Sequence, residues 1–141
     1  MTILNPITLA ASATLDPKDH AGAVVALDAA AGLTVTLPAS TGSGAVYKLF
    51  VATTVTSNAY VVQVANASDV IQGVVGIATD ISGVNCPTAA TSDTITLNGS
   101  TTGGVKGSWL ELTDAASNIW QVKGGLVSTG TEATPFSAAV S

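Results

Sequence analysis

The sequence predicts an all-β fold: an antiparallel sandwich or barrel of about eight to ten short strands, preceded by an extended N-terminal arm. Three observations predict it. Apolar residues alternate with period two, Thr and Ser fill the intervening positions where Lys and Glu are usual, and clusters of Gly, Ser, Asn and Asp punctuate the chain. With 141 residues there is chain for one core, which divides it into an arm over residues 1–20 and a single β domain over 21–141.

The arm holds Pro6 and Pro17 and the small-residue run Ala10-Ala11-Ser12-Ala13-Thr14, a composition that stays extended unless another segment ties it down. Asp16 before Pro17 marks the one candidate helical turn, over Asp16–Asp19. Beyond Gly22, Val25 and Leu27 alternate with Val24 and Ala26, and Leu33, Val35 and Leu37 alternate with Thr34 and Thr36. The five residues from Asp28 to Gly32 can close a hairpin between these two runs. Further strands are predicted near Tyr47–Ala52, Tyr60–Val64, Val70–Ala78, Thr94–Leu97, Ser108–Leu112, Ile119–Lys123 and Leu126–Ser128.

An internal similarity relates residues 34–62 to 94–122 at an offset of 60, with ten of the 29 paired positions identical. It aligns Thr34-Val35-Thr36-Leu37 with Thr94-Ile95-Thr96-Leu97, and Ser57-Asn58 with Ser117-Asn118. As a structural repeat it would give two three-strand units packed on each other. It also equates Phe50 with Leu110, whereas alternation around Tyr47, Leu49 and Val51 points Phe50 outward; both orientations are open at this point.

Composition narrows function. Nine acidic residues stand against four lysines and no arginine, a net charge of −5, so neither nucleic acid nor an anionic membrane is an expected partner. Charged residues are only 9% of the chain, which leaves little to oppose association and suits a subunit that covers its surface with neighbours. Residues 1–6 lack a basic segment followed by an apolar run, so no secretory leader is expected, and no apolar stretch has the length of a membrane span. The single cysteine, Cys86, excludes an internal disulfide and fits synthesis in a reducing cytoplasm.

No catalytic constellation is predicted, and the chain is read as a non-enzyme needing no cofactor or metal. His20 sits in the arm, Cys86 precedes Pro87 in a Gly/Asn/Pro-rich loop, and no nucleophile elbow occurs. The cluster Asp16-Pro17-Lys18-Asp19-His20 meets neither the zinc nor the calcium pattern and reads as a polar turn. Gly103, Gly104 and Gly107 precede a strand instead of a helix, so they do not form a phosphate cradle. Trp109 alternates with Leu110 and Leu112; if the leucines are inward, Trp109 and Glu111 are outward, Trp109 either as an interface anchor or half covered by a loop.

The stretch Leu33–Gly44 with Tyr47–Val51 and Asp69–Gly73, and again Asp93–Gly104 with Trp109–Leu112 and Trp120, resembles a pattern that recurs in small structural proteins of tailed-phage virions. Head-decoration (cement) proteins and tail-fibre modules both carry it, and the resemblance spans roughly residues 16 to 130. Membership among decoration proteins would imply a β-rich homotrimer on the outer capsid surface, made in the host cytoplasm, that bridges subunits of the major capsid protein. It would also imply contact through an extended terminal arm. The arm residues Ile3, Leu4, Pro6, Ile7 and Leu9, with Phe50 and Trp109, are therefore the expected interface positions. The alternative is a tail-fibre or adhesin module recognising a host-surface glycan.

Overall fold

The computed structural model describes residues 5–140. Their regular secondary structure is almost wholly β: β1 Ile7–Leu9, β2 Ala13–Thr14, β3 Val24–Leu27, β4 Leu33–Thr36, β5 Val46–Val51, β6 Tyr60–Gln63, β7 Val70–Ala78, β8 Gly83–Pro87, β9 Thr94–Leu97, β10 Trp109–Ala116, β11 Ile119–Val127 and β12 Phe136–Ser137. One helical turn, α1 Pro17–His20, lies between β2 and β3, at the place where Asp16 announces it. The Asp16 side chain caps the turn by accepting from the Lys18 amide at 2.8 Å.

The strands form a seven-stranded sheet ordered β1-β3-β5-β10-β11-β7-β8 and a five-stranded sheet ordered β12-β9-β6-β4-β2. Both contribute to one buried core, from Val25, Leu27, Tyr47 and Leu49 on the larger sheet to Val35, Tyr60, Val62 and Ile95 on the smaller. The sheets are mixed, which corrects the antiparallel expectation. From β1 to β7 the chain changes sheet at every strand, so β1, β3 and β5 lie parallel in one sheet and β2, β4 and β6 parallel in the other. Strands β9 and β10 then add antiparallel to β6 and β5, and β11 returns between β10 and β7, parallel to β7.

This winding explains several departures from the sequence reading. The segment Asp28–Gly32 carries the chain from one sheet to the other and closes no hairpin. Period-two alternation marks which face of a strand is buried, but not whether its successor lies beside it or across the core. The cross-sheet step is pinned by buried Tyr60 of β6. Its hydroxyl accepts from the Ala29 amide at 3.0 Å and lies 2.7 Å from the Thr53 carbonyl and 3.2 Å from that of Leu27.

Strands number more than expected because strands form within residues 7–14 of the expected arm and because β8 and β12 lie where no strand was predicted. Residues 7–9 pair with β3 and residues 13–14 with β4, so this segment supplies an edge to each sheet, and Leu15 is buried. Small residues at 10–14 lower side-chain bulk where the chain crosses between sheets, which the composition alone reads as looseness. The stretch Leu126–Ser128 is no separate strand, because β11 runs unbroken through Gly124 and Gly125 to Val127.

The internal similarity is only partly structural. β4 and β9 both flank β6, but β6 lies in the smaller sheet and β11 in the larger. What the two halves share is turn chemistry: among the described residues Asn58 and Asn118 are the two non-glycine residues with positive φ, at 55° and 64°, each just before a strand. Phe50 faces outward, 40% exposed, while Leu110 is 1% exposed, so alternation decides that question against the repeat.

Candidate interaction surface

The outer face of the seven-stranded sheet is organised in rows set by strand register. One row runs across the whole sheet as Thr8, Ala26, Phe50, Trp109, Gly125, Gly76 and Asn85, without a charged residue. The next row holds Val24, Lys48, Glu111, Lys123, Val74 and Pro87 and gathers its charges at the centre with alternating sign. Lys123 Nζ stands 3.6 Å from Glu111 Oε1, an exposed pair of small energetic weight.

Phe50 and Trp109 are direct cross-strand neighbours, 40% and 45% exposed. The structure thus brings together two of the sequence-derived interface positions. Trp109 leans over Gly125: a Cβ built on that glycine would lie 2.8 Å from the indole Nε1. With glycine at both Gly125 and Gly76, two adjacent strands present bare backbone between Trp109 and Asn85. Three strand spacings separate those residues, about 14 Å. The result is an open trough of about 530 Å³, with Val127 along its side. A smaller hollow of about 220 Å³ lies on the other side of Trp109, against Val24, Phe50 and Glu111.

The arm positions are placed differently. Pro6 is exposed, Ile7 and Leu9 are half-buried, and Leu9 packs against the core. Ile7 and Leu9 both lie on β1, paired with β3. Ile3 and Leu4 lie outside the described residues.

Three buried aspartates organise the loops behind this surface, and the sequence reading missed all of them. Asp114 on β10 accepts from Ser40 Oγ at 2.8 Å, the Gly42 amide at 2.8 Å and Ser43 Oγ at 2.7 Å, and from the Thr41 and Ser43 amides. Burial by itself would raise its pKa. The donors on Ser43, Gly42, Ser40 and Thr41 outweigh that and hold the carboxyl well below the usual carboxylate range. Asp69 accepts from the Ser40 amide at 2.9 Å and from Asn118 Nδ2 at 2.8 Å. Asp93 takes the Ala139 and Val140 amides at 2.8 and 3.1 Å and so fastens the end of the chain to β9. The signal for these sites was an acidic residue inside an otherwise apolar strand pattern (Asp114) or at a strand start (Asp69, Asp93).

His20 lies in α1, where its Nδ1 accepts the Asp16 amide at 2.9 Å. Cys86 is half-buried on β8, not in a loop, and burial together with the Glu132 charge pushes its thiol up, away from the reactive thiolate. Among the described residues no three His, Cys, Asp or Glu side chains converge as metal ligands, and no helix is long and apolar enough to cross a membrane. Compared with protein-family models, curated proteins and solved structures, the chain matches none.

Proposed function

We propose that this chain is a non-enzymatic structural protein that stabilises a bacteriophage capsid from its outer surface by bridging subunits of the major capsid protein. The observation that carries the reading is the uncharged row across the larger sheet, with Phe50 and Trp109 paired at its centre. A large aromatic that stands out of a sheet beside bare glycine backbone offers both a knob and a hole to a partner. The sequence resemblance to virion proteins supplies the kind of partner. Binding only the assembled shell would stabilise it in proportion to affinity and occupancy. The homotrimer belongs to the same resemblance and is part of the proposal.

The test is binding of the purified chain to undecorated phage heads, with Phe50→Ala/Trp109→Ala as the perturbation. Both side chains are at least 40% exposed, so the fold tolerates their loss. Loss of a central aromatic anchor costs on the order of 2 kcal/mol, about thirtyfold in affinity. Undiminished binding by the double variant removes the surface from the proposal, and no binding by the wild-type chain removes the capsid.

A second reading, a tail-fibre or adhesin module for a neutral glycan, is favoured by the trough itself. Trp109 can stack a sugar ring, and Asn85 stands on the opposite bank. Copy number separates the two: hundreds of copies over the head support decoration, and a few at the tail support recognition.

A further inference from the structure

β8 is the outer edge of the larger sheet, and its free backbone groups follow from two bonds at its ends. The Thr79 amide donates to Ser82 O at 2.8 Å and the Thr88 amide to Gly73 O at 3.0 Å. Both pairs belong to the β7–β8 register, in which Val74 faces Pro87, Val75 faces Cys86, Gly76 faces Asn85, Ile77 faces Val84 and Ala78 faces Gly83. Hydrogen-bonded and non-hydrogen-bonded pairs alternate in an antiparallel ladder. Val84 and Cys86 therefore turn their backbone groups toward β7, and Gly83, Asn85 and Pro87 turn theirs outward.

Edges of this kind are usually blunted by charge, a bulge or a covering loop. Here the run from Ile81 to Ser92 carries no charged residue of its own; charge lies beside it instead, at Asp80 in the preceding turn and at Glu132, which accepts from Ser82 Oγ at 2.9 Å. Ile81 is 91% exposed and Val84 47%, although Val84 faces buried Ile77 on the inner side of the sheet. The strand is symmetric about Asn85 in its hydrogen-bonding pattern, with an outward residue at the centre and at each end.

We propose that β8 pairs antiparallel with β8 of a second copy of this chain about a two-fold axis at Asn85, joining the two larger sheets into one. Asn85 exchanges both N–H···O bonds with Asn85 of the second copy. The Gly83 amide of each copy donates to Pro87 O of the other, where proline has no N–H to offer in return. Val84 meets Cys86 of the second copy as a non-hydrogen-bonded pair, with Cα atoms about 4.5 Å apart. Self-pairing also accounts for the missing charge: an edge that meets its own image brings like charges together, whereas an edge for a different partner can carry complementary ones. The inference goes beyond the capsid reading and needs no capsid for its test.

The register is read by oxidative cross-linking. Val84→Cys places a thiol opposite Cys86 of the second copy, within the span of a disulfide. A covalent two-copy species is expected on a non-reducing gel, lost when Cys86→Ser is added and absent for Gly83→Cys, whose position faces Pro87. Light scattering on the wild-type chain is expected to give the mass of two copies, or of six where the proposed homotrimer also forms and pairs through β8. Asn85→Pro, which removes only an outward N–H, weakens association about tenfold or more; Asn85→Lys does so by charge if proline perturbs the fold. A one-copy mass up to about 1 mM, a three-copy mass, or equal cross-linking of the Val84 and Gly83 variants overturns the proposal.

Discussion

Asp114→Asn is a nearly isosteric change, and its cost can be worked from the bonds around the carboxylate. One oxygen takes the Ser40 hydroxyl and the Gly42 amide; the other takes both the amide and the hydroxyl of Ser43, with the Thr41 amide between them. An asparagine NH2 on the Ser43 side meets a backbone N–H that cannot turn away, although the Ser43 hydroxyl can reverse and accept. The bonds that survive change from charge-assisted to neutral, about 1 kcal/mol each. With Ser43 exposed and partly rescued by water, the sum is about 3 kcal/mol. That corresponds to a melting temperature lower by about 12 °C for a domain of this size. The folded pKa lies below the unfolded value of about 3.9, so the carboxylate's contribution is whole above about pH 5 and is lost as pH falls through that unfolded value toward the folded one. Thermal melts of both proteins should therefore show a constant gap from pH 8 to 5 that narrows by pH 3. A gap under about 3 °C at pH 7, or one that stays constant to pH 3, refutes the clamp.

Tyr60→Phe removes the hydroxyl that joins Ala29, Thr53 and Leu27 and leaves a buried amide and carbonyls without it. Urea titration should show a loss of about 2 kcal/mol with an unchanged m-value. Asn58→Ala, at φ 55°, should cost about 1 kcal/mol in the same assay, whereas Asn58→Gly keeps the turn and falls within about 0.5 kcal/mol of wild type.

The sequence makes some of this plain and hides the rest for identifiable reasons. Alternation located β4, β5, β6, β7 and β9 and pointed Phe50 and Trp109 outward, because a strand with one buried face writes that face into every second residue. β8 escaped notice because only Cys86 of its five residues is half-buried, and the alternation of Val84 and Cys86 is short and set among Gly, Asn and Pro, so the segment reads as a loop. β1 and β2 were hidden for a related reason: two- and three-residue edges are held by backbone pairing, to which side-chain pattern is blind. The trough is a product of register, since Gly76 and Gly125 lie far apart in sequence and become neighbours only when β7 and β11 align. No local motif announces that.

The unequal widths of the sheets connect these points. Five strands cannot cover seven, so part of the larger sheet has no layer behind it, and the exposure of Val84 opposite buried Ile77 places that uncovered part at the β8 edge. Val74, at 51%, and Val127, at 39%, stand on the opposite face of the same strand group, and Trp109 borders it. Of the exposed large apolar side chains, Val74, Ile81, Val84 and Val127 gather at the end of the sheet where backbone hydrogen bonds are also unspent, while Val24, Phe50 and Trp109 extend the apolar surface toward β3. A chain with few charges elsewhere has nothing to offset such a region in water. The folded chain leaves this apolar surface and the open β8 edge side by side; pairing at the edge would take up the outward backbone groups of β8, and covering the face needs a partner on the sheet itself.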